Sequence, residues 1–281
     1  MQASLLAVFA HPDDETLRCG GTLALYAARG AKVHLICLTR GEAGRNTDPT
    51  LGDQVDLPTQ REKELQDACA ALGTEPPIFL GYHDSGRGDR LRRDDPLATI
   101  NVDPIEMERR ILQVIEEIRP QVMLTFDPHG MYGHPDHLVA HRVATAAYTS
   151  SGFRQVRVQR LFYTVQSREE MTRLQGGRSL GVLEGLEPET YAVCDCTIAA
   201  RIDVRPYAAH KRAALFAHRT QTGPLSTLGN LTDEQFAPLL EVETFSLGGV
   251  RCAIPEYPMT DLFAGLDVTF APAPQVVYDE A

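Results

Sequence analysis

The sequence predicts an α/β fold built on a doubly wound, mostly parallel sheet, and three observations predict it. Short apolar runs of strand length recur along the first 165 residues, stretches with helical spacing separate them, and Gly and Pro stand where those stretches begin or end.

Taken in order, Ser4–Ala10 is a short apolar run of the kind buried strands show, and Thr16–Ala28 follows as a helix closed by Gly30. Val33–Thr39 is a second buried strand. Gln60–Leu72 has helical spacing and stops at Gly73, ahead of Pro76 and Pro77, and Ile78–Leu80 makes a short third strand. Pro104–Arg119 is a helix with Pro104 in its first turn and Pro120 at its end. Gln121–Phe126 is the next strand, His134–Tyr148 the next helix and Val158–Val165 the next strand. Strands alternating with helices of this length form βαβ units, so the architecture is Rossmann-like, and ligands in such sheets sit beyond the carboxyl ends of the strands.

After Arg168 the pattern loosens. Residues 168–191 are polar and punctuated by Gly, as in an insertion or lid; residues 206–221 read as one helix and the Pro-rich tail from Phe270 as extended. With no internal repeat and no sharp shift in composition, the chain of 281 residues reads as one domain, with a core to about residue 165 and an elaborated C-terminal part over 166–281.

Composition narrows the partners. A hydrophobic content of 43% is ample for a core, and no run reaches the eighteen or so apolar residues of a membrane span. The first residues lack both a basic stretch and a small-residue cleavage site, so the expected compartment is the cytoplasm. A net charge of −11, from 27 basic and 38 acidic side chains, argues against nucleic acid and anionic membrane as partners. It leaves a small-molecule substrate, and it is compatible with a homo-oligomer without fixing one. The six cysteines are scattered; most are expected to be small buried hydrophobes, and the one close pair, Cys194 and Cys196, is weak evidence for a metal or redox site.

The chemistry lies in two loops. His11, Pro12, Asp13, Asp14 and Glu15 end the first strand, and Asp127 to His137 ("DPHGMYGHPDH") ends the strand Gln121–Phe126. Three carboxylates in five residues repel one another unless a positive charge sits among them. Imidazole and carboxylate are the ligands of catalytic zinc, which takes three protein donors and leaves a position for water. A site of two His and one Asp can be drawn from His11, one of Asp13 or Asp14, and one of His134 or His137. Adjacent side chains diverge, so one aspartate ligates and the other faces the water as general base. Either segment alone could instead be a helix start, with an Asp as cap; the two together, each at a strand end, favour the metal.

These residues also carry a resemblance. "AHPDDE" (10–15), "GG" (20–21), "TRGEAG" (39–44), "REKEL" (61–65), "GYHDSG" (81–86), "YGHPDH" (132–137) and "HKRAALFAHRTQ" (210–221) run in the order found in zinc-dependent N-acetylglucosaminide deacetylases of the LmbE/PIG-L type, the family that includes the deacetylases of mycothiol and bacillithiol biosynthesis. The resemblance implies that His11, Asp14 and His137 bind Zn²⁺, or another divalent ion such as Fe²⁺, with Asp13 as base. It implies that His134 assists as acid or electrostatic stabiliser, that Asp136 orients His134, and that Tyr132, Arg61, Asp84 and Glu42 contact the sugar or shape the pocket. Tyr132 is also a second candidate for stabilising the oxyanion. For Asp84 an Asx-turn is a competing reading. His141 is expected to line the pocket without ligating, and Glu15 to serve the helix start. The reaction implied is removal of the N-acetyl group from a glucosaminide. The alternative is a metal-stabilised carbohydrate-binding protein that has lost turnover, which would have no need of Asp13. Between malate and inositol as aglycone the sequence does not choose, although Arg45, Arg87 and Arg90 would suit a carboxylate.

Overall fold

The structure, a computed structural model, describes residues 1–175 and 191–272. The chain alternates as expected through β1 (Ser4–Phe9), α1 (Asp14–Ala28), β2 (Lys32–Cys37), α2 (Leu57–Leu72), β3 (Ile78–Phe79), α3 (Pro104–Ile118), β4 (Val122–Phe126), a distorted turn α4 (Gly130–Gly133), α5 (Pro135–Ser151) and β5 (Arg160–Val165). Local chemistry sets the boundaries. Gly73 ends α2 at a φ of 73°, and the Asp103 carboxylate accepts from Ile105 N at 2.9 Å to open α3.

Beyond β5 come α6 (Arg168–Gln175), β6 (Ile198–Asp203), α7 (Ala208–Ala217), α8 (Arg219–Thr222), α9 (Asp233–Phe236) and β7 (Val242–Val250). The helix expected over 206–221 is broken at His218, whose φ of −78° and ψ of 58° leave the helical region. The segment read as an insertion or lid begins as α6, and residues 176–190 lie outside the described residues. Of the expected extended tail, residues 270–272 carry no helix, and 273–281 also lie outside the description.

The sheet runs β3-β2-β1-β4-β5-β7-β6. The first five strands are mutually parallel, while β7 lies antiparallel between β5 and β6. β1 and β4 are buried along their whole length, as parallel strands covered on both faces must be. Strand order reverses between β1 and β4, so the loops after them splay apart and open a crevice, the switch point where this architecture holds ligands. The two C-terminal strands were not legible as strands. β7 carries Gly248 and Gly249 in its interior, which depresses strand propensity; a Cβ at these positions would fall 2.5 Å from the Tyr163 ring and 2.3 Å from that of Tyr148.

Helix α1 is kinked at Cys19 (φ −150°, ψ 19°). A kink frees amides downstream, and here Gly21 N and Thr22 N donate to the Glu243 carboxylate at 2.9 and 2.7 Å. Lys211 Nζ, from α7, reaches the same carboxylate at 2.7 Å, with both side chains buried. This triad fastens the helix that starts at Asp14 to β7. Gly21 also packs face to face with Val204, whose Cβ would stand 2.5 Å from an added Cβ. Gly21→Ala is therefore expected to lower stability by about 1–3 kcal/mol, read as a fall in the urea midpoint with unchanged slope.

Candidate metal centre and cleft

β1 delivers His11 and, through a sharp turn, Asp13 and Asp14. Asp13 adopts a φ of 113°, one of three non-glycine residues with positive φ among the described residues. Its amide donates to Glu15 Oε2 at 3.1 Å, and the Pro12 carbonyl accepts from the Gln221 side chain. The strained turn is thus held on both sides, and it aims the Asp13 and Asp14 side chains in different directions. β4 delivers the facing loop, where His134 caps α5 and places Asp136 and His137 in its first turn.

Three donors converge. His11 Nδ1 lies 3.2 Å from His137 Nε2 and 3.5 Å from Asp14 Oδ2, while His137 Nε2 lies 3.2 Å from Asp14 Oδ1. Ligands at the 2.0–2.2 Å typical of zinc stand roughly 3.3–3.6 Å apart across a tetrahedron edge, so the spacing matches. Ring nitrogens of His11, His134 and His137 also gather within 4.8 Å, as do donors of His11, Asp84, His134 and Asp136. The hydrogen bonds decide between these groupings. His137 Nδ1 is engaged by the Gly130 carbonyl at 3.1 Å, and its ring stacks on Phe126 at 4.1 Å. His11 Nε2 is engaged by Asp136 Oδ2 at 2.9 Å. Both rings therefore spend one N–H on a fixed acceptor, and the remaining nitrogens, lone-pair donors in the neutral rings, face each other at 3.2 Å beside a carboxylate. Two lone pairs at that distance need a cation between them. A divalent metal fits this donor set, and a proton on His11 is the lesser substitute. Burial pushes His11 down, but Asp84, Asp136 and Asp14 outweigh it and hold its pKa well above the ordinary value. Burial raises Asp14, and His137 and His11 overcome it to hold the group well below the usual carboxylate range.

The structure redirects Asp136. Its carboxylate does not brace His134; it holds His11, and is itself held by Ser85 N at 2.9 Å and Thr99 Oγ1 at 2.5 Å. Only its backbone amide reaches His134, donating to Nδ1 at 3.2 Å. That bond puts the His134 proton on Nε2. Burial and the neighbouring His11 and His137 rings push His134 down to about 3, so it acts as a neutral N–H donor rather than as an imidazolium. Ser85 and Thr99 were not singled out from sequence, although Ser85 lies inside the "GYHDSG" block.

These groups open into a cleft of about 290 Å³, lined among others by His11, Asp13, Asp14, Arg61, Asp84, Arg87, Arg90, Tyr132 and His134. Burial and the Asp14 charge push Asp13 up to about 7, against the pull of His218 and Arg61. Tyr132 turns its ring edge toward His137 at 5.1 Å, with Arg87 stacked over it at 5.1 Å; burial keeps its phenol protonated far above neutrality.

The remaining candidates divide. Arg61 reaches the cleft but donates to Gly41 O and Arg45 O at 2.9 and 3.3 Å, fixing the 41–45 loop. Asp84 forms the Asx-turn, accepting from Gly86 N at 2.8 Å, and also stands 3.6 Å from His11 Nε2. Glu42 accepts from Asp84 N at 2.9 Å and shapes the wall from behind. His141 turns away from the cleft, its Nδ1 on Phe126 O at 2.8 Å and its ring against Tyr163. Glu15 accepts from His218 Nε2 at 2.9 Å in full burial, so this pair backs the Asp13 turn and ligates nothing.

A doubly wound sheet whose strand ends gather three histidines and four carboxylates against a cleft defines a class: an α/β protein with a buried donor cluster suited to one metal ion. Comparison narrows the class to a family. Residues 6–148 match the PIG-L family, GlcNAc-PI de-N-acetylase, and the chain belongs to it. It is 39% identical to the 1D-myo-inositol 2-acetamido-2-deoxy-alpha-D-glucopyranoside deacetylase of Saccharomonospora viridis, over 93% of this chain and 100% of that one. It is 43% identical to the protein of the same name from Actinosynnema mirum, over 77% and 80%. The solved N,N'-diacetylchitobiose deacetylase of Pyrococcus horikoshii shares the fold at a TM-score of 0.55 and 20% identity, covering 87% of this chain and 83% of that one. Among the described residues no helix is long and apolar enough to cross a membrane.

Proposed function

We propose that this chain is a divalent-metal-dependent deacetylase, zinc being the ion its donors suit, which hydrolyses the N-acetyl amide of a glucosaminide with an inositol aglycone. The observation that carries the reading is the pair of imidazole nitrogens of His11 and His137, facing each other at 3.2 Å beside Asp14, with Asp13 on the same cleft. The substrate class is supported by the name shared by relatives 39% and 43% identical.

His11, Asp14 and His137 would hold the ion. When bound, a divalent ion polarises a carbonyl and lowers the pKa of water from about 15.7 to about 7. The protein groups do the rest. Asp13 takes a proton from the attacking water. The Tyr132 O–H and His134 Nε2–H, both protonated at neutral pH, are donors for the charge that develops on the amide oxygen. Asp136, gripped by Ser85 and Thr99, keeps His11 in the tautomer that ligation requires. Water adds to the carbonyl carbon, the C–N bond breaks, and the amine leaves with the proton Asp13 acquired, giving acetate and a free amino sugar.

Dialysis against a chelator is expected to lower acetate release by at least a hundredfold, and one equivalent of Zn²⁺ to restore it. His137→Ala should bind less than a tenth of an equivalent under the same conditions. Full activity in protein shown by elemental analysis to be free of metal would refute the reading.

A further inference from the structure

Outside the cleft, two cysteines stand apart from the rest. Cys19, Cys37 and Cys69 are buried, whereas Cys194 and Cys196 are exposed. Their Sγ atoms lie 2.9 Å apart. The turn that brings them together, Asp195–Thr197, is built for it: Thr197 N and Thr197 Oγ1 both donate to Cys194 O, at 2.8 and 2.7 Å. Asp195 is paired with Arg201 at 3.5 Å, and Tyr257 donates to Cys196 O at 3.3 Å. Two thiols held in contact on an anchored turn and open to solvent differ from the small buried hydrophobes expected from their sequence.

We propose that Cys194 and Cys196 form a redox-active dithiol that closes to an intramolecular disulfide by exchange with a low-molecular-weight disulfide. Exposure lets the oxidant reach either sulfur, and contact lets the second thiol resolve the mixed disulfide before it escapes. The hydrogen bond from Cys196 lowers the Cys194 pKa, and the same contact raises that of Cys196; Cys194 is thus the attacking sulfur. In the first step the Cys194 thiolate bonds to one sulfur of RSSR, and the other leaves as RS⁻ and takes a proton. In the second, Cys196 gives up its proton and its sulfur attacks Cys194, expelling the remaining RS⁻. Two electrons pass from the protein to RSSR, which ends as two RSH. The proposal stands independently of the reaction in the cleft.

The test incubates the purified protein over a series of oxidised-to-reduced glutathione ratios, quenches with acid, alkylates and measures the peptide holding residues 194–196 by mass spectrometry. Wild type is expected to pass from the doubly alkylated peptide to an unalkylated one two mass units lighter than the free dithiol, reversibly with dithiothreitol. Cys196→Ser lacks the resolving thiol and should carry at least tenfold more glutathione on that peptide than wild type, whereas Cys194→Ser lacks the attacking thiol and should carry less than Cys196→Ser. A peptide that stays doubly alkylated at every ratio, or wild type that accumulates as much glutathione as Cys196→Ser, overturns the proposal.

Discussion

Asp13→Asn should lower kcat for acetate release by about 10²–10⁴-fold, the usual share of a positioned general base, while the bound metal stays at one equivalent. Asparagine is the informative replacement because it tolerates positive φ nearly as well as aspartate, so the strained turn at 113° survives the exchange. The same variant carries a pH signature. The base works as the carboxylate, so wild-type activity should rise with pH through the Asp13 pKa. Burial and Asp14 place that pKa at about 7 in the protein alone. A bound cation favours the charged form, so the rising limb should lie at or below about 7. In Asp13→Asn that limb should disappear. A variant with wild-type kcat, or one that keeps the rising limb, removes Asp13 from the role.

Lys211→Met is expected to have the largest effect on stability. It keeps most of the side-chain stem and deletes the charge, leaving the Glu243 carboxylate buried with only the Gly21 and Thr22 amides. Stranding one member of a buried pair costs about 3–5 kcal/mol, which at this size lowers Tm by roughly 10 °C. The double variant Lys211→Met/Glu243→Gln should recover part of the loss, because it removes the stranded charge while the single amide oxygen replaces one of the two oxygens that accept from Gly21 N and Thr22 N. If the single variant melts within a degree or two of wild type, the triad does not fasten α1.

What was legible in the sequence was local. His11 through Asp14 and His134 through His137 each sit at the end of an apolar run, so motif and strand end together brought two loops into one crevice. The parallel strands read cleanly because burial on both faces leaves apolar runs without alternation. What failed depends on contacts between distant positions. Asp136 was assigned to its neighbour His134, whereas it reaches His11, 125 residues away, because the first turn of α5 points its side chain across the crevice. The ionic state of His134 follows from burial among other imidazoles, which no local pattern records. Glu15 was placed correctly at the helix start, but its partner His218 is 203 residues distant. β7 was missed because glycines that admit tyrosine rings erase its strand signal.

The central claim, that the crevice hydrolyses the N-acetyl amide of a glucosaminide, is tested most directly by following acetate and free amine from N-acetylglucosaminyl-inositol, with protein carrying one equivalent of divalent metal. Equimolar release of both products is predicted, at a rate that falls at least a hundredfold after chelation. No acetate from that compound or from any other N-acetylglucosaminide, with the metal in place, would contradict it.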